Sequence, residues 1–221
     1  MAEVSQAGND PAHYRNRIKN DRQVAEVYKY RKINKHLAEL ALVERAFGCI
    51  PKTNTVLDIP CGAGRVTILL ERLGYRCTGA EIGDGMIEVA RREIAAANLG
   101  SRIDKIDIED MDYPDRQFGA IICFRLFHHF PGAQVRRRVV KELCRVANEY
   151  VALSYFSPLS PTSLRRAFRA TFSGKVSRQY ATPLTEVAAY FQECDFDLVK
   201  DFAQTPLMHT LHLAVFRRKP A

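Results

Sequence analysis

The chain has 221 residues, of which 47% are apolar, so it can bury the core of one α/β domain but is too short for two large domains. Its formal net charge of +8 is concentrated in residues 13–36 and 158–180, which carry eight and five Lys or Arg respectively. The polar N-terminus and the lack of a window of about 18 apolar residues argue against a signal peptide and a membrane span, so we expect a cytoplasmic protein. Six cysteines without a Cys-x-x-Cys pair predict reduced thiols and no metal site.

The N-terminal part of the chain is predicted to be helical. Residues 23–47 have helical composition and favour one bent helix or two short ones. We expect residues 1–50 to form an N-terminal cap segment and residues 51–221 to form the main domain. One face of the second half of the helix is predicted to consist of Leu37, Leu40, Ala41 and Glu44.

A strand, a glycine-rich turn and a helix follow between Thr55 and Leu73. A β-branched run predicts a buried strand, and Gly62 and Gly64 precede an apolar helical pattern that begins at Val66. Because glycine adopts positive φ and has no Cβ, the backbone of this turn can approach a ligand near the free N–H groups of a helix. The turn therefore predicts a binding site for the polar end of a nucleotide-like cofactor.

Two acids and one missing glycine narrow the choice of cofactor. Thr67 stands where the dinucleotide fingerprint would have its third glycine, which weakens the interpretation as a pyrophosphate site. Asp58 precedes the turn, and Glu81 ends the next predicted strand, Tyr75 to Glu81. A carboxylate at such a strand end can accept hydrogen bonds from both ribose hydroxyls.

The segment LDIPCGAGR resembles motif I of the class I S-adenosylmethionine-dependent methyltransferases, usually Asp-x-Gly-x-Gly-x-Gly, with Pro60 in place of the first glycine. This resemblance implies S-adenosylmethionine as cofactor. It also implies a Rossmann-like α/β fold with a seven-stranded, mostly parallel sheet, an antiparallel last strand and helices on both faces. The cofactor-binding residues that it implies are Tyr28, Arg31, Asp58, Pro60, Cys61, Gly62, Gly64, Glu81, Ile82, Met86, Asp107, Ile108 and Phe124.

The next elements extend the resemblance. Asp84 is predicted to cap a helix that ends at Gly100 and buries Met86, Ile87, Ala90 and Ile94. After a short strand, Ile103 to Ile106, the acidic segment resembles the family's adenine-binding segment. Asp107 and Ile108 would then bind adenine, although Glu109 and Asp110 are close enough in sequence to leave the choice of acid open.

Two adjacent histidines follow the predicted central strand, Phe118 to Phe124. Ligands bind beyond the carboxyl ends of the strands in an open α/β sheet, and a neutral imidazole can remove a proton from an attacking hydroxyl. We therefore predict His128 or His129 as a catalytic base, with a slight preference for His128. Packing of one histidine in the loop, or methyl transfer driven by proximity without a base, stays open as an alternative.

The C-terminal half supplies the predicted substrate residues. A helix from Ala133 to Ala147 carries a run that we expect to be exposed, Arg136 to Arg138, to which we assign no function, and the strand Tyr150 to Phe156 follows. Residues 157–182 are predicted to form a basic lid. Because this lid and the N-terminal segment are both basic, we expect a small anionic substrate, with nucleic acid as an unlikely partner and a membrane surface as a further candidate. The predicted substrate residues are Arg125, Arg178 and Tyr180.

The chain is predicted to end with a helix, Thr185 to Cys194, and two antiparallel strands, Phe196 to Phe202 and Leu207 to Phe216. We assign no function to His209 and His212 in the last strand. The favoured interpretation is a small-molecule methyltransferase, with oxygen preferred as the acceptor atom. The alternatives are a non-catalytic S-adenosylmethionine-binding protein and a Rossmann oxidoreductase that uses a nicotinamide cofactor. The sequence leaves the oligomeric state open.

Overall fold

The computed structural model describes residues 33–158, 179–205 and 210–220. The described strands are β1 (Thr55–Asp58), β2 (Arg76–Glu81), β3 (Arg102–Lys105), β4 (Phe118–Cys123), β5 (Ala147–Phe156), β6 (Phe196–Ala203) and β7 (Leu211–Arg218). The described helices are α1 (Ile33–Phe47), α2 (Arg65–Arg72), α3 (Asp84–Ala96), α4 (Ala133–Val146) and α5 (Leu184–Gln192), with a short 3-10 helix at Phe127–His129. None of these helices is long and apolar enough to cross a membrane.

All seven strands belong to one sheet with the order β3-β2-β1-β4-β5-β7-β6. The pairs among β1 to β5 are parallel, whereas β7 lies antiparallel between β5 and β6. The short connection from β6 to β7 requires this antiparallel pairing, because a parallel crossover needs a dozen or more residues. The predicted fold class is therefore confirmed. The strand order reverses between β1 and β4, so a crevice is expected at their carboxyl ends.

Alternate residues of the central strands pack against two helical layers. Leu57 and Ile121 belong to one buried cluster with residues of α4 and α5, whereas Val56 and Ile122 belong to another with residues of α1 and α2. Successive side chains of a strand point to opposite faces, and both faces of a parallel sheet are normally covered by helices. The continuous apolar runs of β1 and β4 are explained by this two-sided burial.

Helix α1 does not bury the face that carries Leu37, Leu40, Ala41 and Glu44. Leu37 of this face is 61% exposed. The buried face packs in the same cluster as α2, β5 and β7 because the helix lies against the sheet. This face consists of Leu42, Val43, Ala46 and Phe47. The division of the chain at residue 50 stays a prediction.

Three local predictions are wrong. Asp84 does not cap α3, because Gly83 occupies the N-cap position and the Asp84 carboxylate pairs with Lys105 at 2.7 Å. The same helix ends at Ala96 and not at Gly100. Arg136 is buried, whereas it was predicted to be exposed with its two neighbours. Its guanidinium donates hydrogen bonds to the Phe130 carbonyl and to the Glu186 carboxylate. A buried cation needs such partners.

Candidate functional site

The glycine-rich turn connects β1 to α2 at the carboxyl edge of the sheet. The Ile59–Pro60 peptide bond is cis, and Gly62 and Gly64 have φ values of 55° and 80°. These are left-handed conformations, which residues with a Cβ rarely adopt. Gly64 is also the N-cap residue of α2, so both predicted glycines have conformations that favour glycine.

A cavity of about 450 Å³ lies beside this turn, at the carboxyl ends of β1, β2 and β4. This is the place where ligands bind in open α/β sheets, and the volume is within the usual range of about 300 to 1,000 Å³ for ligand pockets. The cavity brings together most of the sequence-predicted site residues. Those that line it are Pro60, Cys61, Gly62, Glu81, Ile82, Met86, Asp107, Ile108, Phe124, Arg125 and His129.

The Glu81 carboxylate is held in place by backbone amides. Its Oε2 accepts a hydrogen bond from the Gly62 N–H at 3.1 Å, and its Oε1 accepts from the N–H groups of Ile82 at 2.9 Å and Gly83 at 3.3 Å. These amides belong to the glycine-rich turn and to the loop after β2. Hydrogen bonds to a carboxylate are stronger than those between neutral groups, so Glu81 is oriented within the cavity wall by the fold itself.

Asp58 does not line the cavity but lies fully buried at the end of β1, next to the turn. The Thr67 hydroxyl donates to its Oδ2 at 2.7 Å, whereas Oδ1 accepts no hydrogen bond from any residue that the structure describes. Burial raises the pKa of Asp58 to about 7, with hydrogen bonds from Thr67 acting in the opposite direction. Burial, with the charges of Asp58 and Glu81 adding to it, also raises the pKa of the Cys61 thiol.

The third strand end contributes the acidic segment. Asp107 and Ile108 line the cavity together with the open alternative Glu109, whereas Asp110 does not. The Asp107 Oδ1 accepts a hydrogen bond from the Glu109 N–H at 3.0 Å, which fixes this turn. Glu109 is tied to α4 through an ion pair with Arg138, so it also connects the segment to the helical layer.

Arg125 follows β4 and has a positive φ of 66°, which is uncommon for a residue with a long side chain. Its N–H donates to the Ser154 Oγ at 2.6 Å, and its guanidinium lies 5.6 Å from the centre of the Phe156 ring. The same guanidinium pairs with the Glu39 carboxylate at 3.4 Å. Arg125 lines the cavity, so its strained backbone is consistent with the clustering of strained residues at functional sites.

The two histidines have different surroundings. His128 is fully buried outside the cavity lining and stacks on Phe156, with ring centres 3.9 Å apart and planes inclined by 15°. His129 lines the cavity, and its ring centre is 4.2 Å from that of His128. The slight preference for His128 is therefore not supported by its position, because the stacked ring is covered by protein.

The remaining predicted residues are not brought into the cavity. Tyr180 lies beside it, because its N–H donates to the His128 carbonyl at 2.8 Å, but its neighbour Gln179 provides the lining. Tyr28, Arg31 and Arg178 lie outside the described residues, as do most of the predicted lid and His209.

Sequence reasoning missed a buried acid that links two arginines of the cavity wall. Glu39 of α1 lies 3.8 Å from Arg65 and 3.4 Å from Arg125, although these residues are far apart in sequence. No local pattern predicts such a contact. The other missed lining residues flank predicted motifs and could have been found by their position. They are Ile59, Ala63, Val66, Ile106, Leu126, Phe130 and Gln179.

Comparisons with known proteins agree with this architecture. The ubiquinone biosynthesis O-methyltransferase of Coxiella burnetii is 27% identical over 129 residues, which cover 58% of this chain and 51% of that protein. The S-adenosyl-L-methionine-dependent Diels-Alderase iccD of Talaromyces variabilis is 41% identical over 64 residues, which cover 29% of this chain and 21% of that protein. The chain therefore spans about half the length of the first relative and about a fifth of the second.

A solved structure and a family model complete the comparison. Magnesium protoporphyrin IX methyltransferase (ChlM) from Synechocystis PCC 6803, solved with bound SAH, has a TM-score of 0.70 and 18% identity, and the match covers 90% of this chain and 94% of that one. At this identity the likeness shows the fold. Residues 56–149, which include the glycine-rich turn and the acidic segment, match the family model described as a methyltransferase domain. The part of the chain that runs from β1 to the start of β5 is thus similar to a methyltransferase domain.

Proposed function

We propose that the protein binds S-adenosylmethionine in the cavity beside the glycine-rich turn and transfers its methyl group to a small molecule. The observation that carries the proposal is the carboxylate of Glu81, which three backbone amides hold at the cavity wall. An acid at the end of the second strand, next to a glycine-rich turn, is suited to the two hydroxyls of a ribose. The matched methyltransferase domain supports the same interpretation.

The residues of the cavity fit this cofactor chemically. The backbone of Gly62 is in the left-handed region, and a Cβ added there would lie 3.4 Å from the Met86 side chain. The glycine therefore leaves the backbone of the turn uncovered beside Met86. The acids that line the cavity include Glu81, Asp107 and Glu109. A nucleoside with a cationic amino-acid tail provides hydroxyls, a flat apolar ring and positive charge, which are complementary to acids and apolar walls.

Different residues of the cavity would bind different parts of the cofactor. Glu81 would accept hydrogen bonds from the ribose, and Ile82 and Met86 would provide apolar surface. Asp107 would accept from the adenine amino group, next to Ile108. When bound, the cofactor supplies an electrophilic methyl group on a sulfonium, so the protein's main task is to align an acceptor with it and exclude water.

The acceptor would approach from the side of the cavity that follows β4. His129 lines this side and would accept the proton of an attacking hydroxyl, which favours O-methylation, the reaction named for the relative from Coxiella burnetii. Arg125 would bind an anionic group of the substrate through its guanidinium. Arg178 and Tyr180 stay predictions as substrate residues.

A second candidate function is cofactor binding without methyl transfer. It is favoured by the similarity to a protein named as a Diels-Alderase that depends on S-adenosyl-L-methionine. In that case the same cavity and the same binding residues would serve a different reaction. The two functions therefore predict equal cofactor affinity and differ in the fate of the methyl group.

Calorimetric titration with S-adenosylhomocysteine and with NADH tests the binding step. We expect S-adenosylhomocysteine to bind the wild type, NADH not to bind, and Glu81→Gln to bind the first ligand more weakly. Glu71→Gln is the matched control, because Glu71 also accepts backbone N–H bonds, from Gly100 and Ser101, but does not line the cavity. Absence of binding by the wild type, or equal weakening by both variants, would refute the assignment of the cavity.

Transfer is tested separately with cofactor labelled in the methyl group and a panel of phenolic, carboxylic and amine metabolites. Label in an acceptor supports methyl transfer. Conversion of a substrate without label, in protein that binds the cofactor, would support the second candidate instead.

A further inference from the structure

A second cavity lies at the opposite edge of the sheet from the candidate site. Its volume is about 360 Å³, and it lies where the amino ends of β4 and β5 meet the carboxyl end of β7. Nothing in the proposed methyl transfer uses this region. It combines four basic side chains, one acid and two thiols, and its lining consists of Asp115, Arg116, Lys141, Cys144, Arg145, Cys194 and Arg218.

The two thiols come from different helices and meet in this cavity. Cys144 lies in α4 and is buried, whereas Cys194 follows the end of α5 and is half-buried. Both side chains line the same cavity and lie close enough for each thiol to shift the pKa of the other, upward for Cys144 and downward for Cys194. Both are free thiols. One sulfur is therefore accessible, and its neighbour is protected.

The charges around Cys194 favour its thiolate form. The hydrogen bond from Cys144 and the charge of Lys141 lower the pKa of Cys194 to about 7, against the effects of burial and of Glu193. Arg218 acts in the same direction, although its guanidinium also donates to the carbonyls of Cys144 and Ala147. Burial raises the pKa of Cys144, so the buried partner stays protonated.

The other charged groups of this cavity are largely engaged with each other. Arg145 pairs with Glu142 and with Asp115. Arg116 and Arg218 both line the cavity, and burial and the charge of Arg116 lower the pKa of Arg218. A thiolate at Cys194 relieves this repulsion. Reactive cysteines are found in such positively charged, partly exposed surroundings.

We propose that Cys194 and Cys144 are a modification site at which a hydroperoxide converts two thiols into a reversible disulfide. The Cys194 thiolate attacks one peroxide oxygen, so that an S–O bond forms, the O–O bond breaks, and hydroxide (or alkoxide) leaves and takes a proton. The Cys144 thiol then loses its proton and attacks the Cys194 sulfur, so that the S–S bond forms and the S–O bond breaks with release of water. The two thiols lose two electrons, and the peroxide gains them.

Limited oxidation of the full chain with hydrogen peroxide tests this proposal. An ordinary thiol with a pKa of about 8.5 is about 3% ionised at pH 7, whereas a thiol with a pKa near 7 is about half ionised. Because a thiolate of lower pKa is also a weaker nucleophile, we expect Cys194 to react about three to five times faster than an ordinary thiol. Peptide mapping after alkylation should show the Cys144–Cys194 disulfide before Cys49 and Cys77 are modified. The rate advantage should disappear above about pH 9.

Variants separate the two steps. Cys144→Ser should leave a sulfenic acid on Cys194 that dimedone traps, and Cys194→Ser should leave Cys144 reduced. Lys141→Gln changes an exposed residue and should slow the first step without changing the melting temperature. Cys49→Ser is the matched control and should react like the wild type. Oxidation of Cys49 or Cys77 before Cys194, or a wild-type Cys194 that pairs with another chain, would overturn the proposal.

Discussion

Replacement of Asp58 by asparagine should change how the stability of the protein depends on pH. The folded protein holds a proton on this buried carboxyl up to a pKa of about 7, whereas the value without burial is 3.8. Between these two values the folded state binds more protons than the unfolded state, so the free energy of unfolding falls as pH rises. Asparagine has the same shape without a titratable group, so this part of the pH dependence should disappear.

The magnitude follows from the size of the shift. A rise of the pKa from 3.8 to about 7 corresponds to a loss of about 4 kcal/mol in the free energy of unfolding. This loss is nearly absent near pH 4 and complete above pH 7. The difference in unfolding free energy between Asp58→Asn and the wild type should therefore increase by about this amount from pH 4 to pH 8. Urea denaturation followed by far-UV circular dichroism at half-unit pH steps measures this difference.

Substitution of Thr67 should shift the pH dependence of stability in a direction that follows from its hydrogen bond to Asp58. Its hydroxyl donates to the Asp58 carboxylate at 2.7 Å and lowers the pKa of that group. Thr67→Val keeps the side-chain shape and removes this donor, so the loss of stability should extend to higher pH than in the wild type. A free-energy difference between Asp58→Asn and the wild type that is constant from pH 4 to pH 8 would refute the reasoning.

Three further predictions concern the candidate site. Glu81→Gln should weaken binding of S-adenosylhomocysteine by about 1.5 to 3 kcal/mol, the scale of hydrogen bonds to a charged group, and unchanged affinity in calorimetry would remove Glu81 from the site. His129→Gln should slow turnover and leave cofactor affinity intact; a wild-type rate in the labelled-methyl assay would end its role as base. Glu39→Gln should cost about 1 to 2 kcal/mol of unfolding free energy, since it leaves Arg65 and Arg125 without their shared carboxylate. Denaturation at neutral pH checks the last value, and an unchanged midpoint would contradict it.

The parts of the fold that sequence predicted well are those set by neighbours along the chain. The strand before Gly62 and the helix after Gly64 follow from local periodicity, and the short connection between the last two strands fixes their antiparallel pairing. The same holds for much of the cavity wall, because the carboxyl ends of parallel strands meet at one edge. Glu81 and Asp107 could thus be placed together without knowledge of any contact between them.

The errors occur where a distant element decides the outcome. Arg136 lies in a run of three arginines that looks exposed, but it is buried because α5 brings Glu186 against it and Tyr190 donates to the same carboxylate at 2.6 Å. The helical pattern of α1 likewise left its buried face undecided, since the sheet and not the helix pattern selects which residues are covered. His128 and His129 are adjacent in sequence, so no pattern could tell which ring Phe156 would cover.

The two ends of the cavity share one physical property, which is that their charged groups are oriented before any ligand arrives. Backbone amides fix Glu81 on one side. On the other, the Glu39 carboxylate pairs with the Arg125 guanidinium, and the Ser154 hydroxyl accepts a hydrogen bond from the Arg125 backbone N–H. Binding therefore loses little side-chain freedom, and preorganisation of this kind increases affinity without adding contacts. Because Glu39 and Ser154 do not line the cavity, their removal should act on the acceptor's KM through Arg125 and leave the bound cofactor's position unchanged.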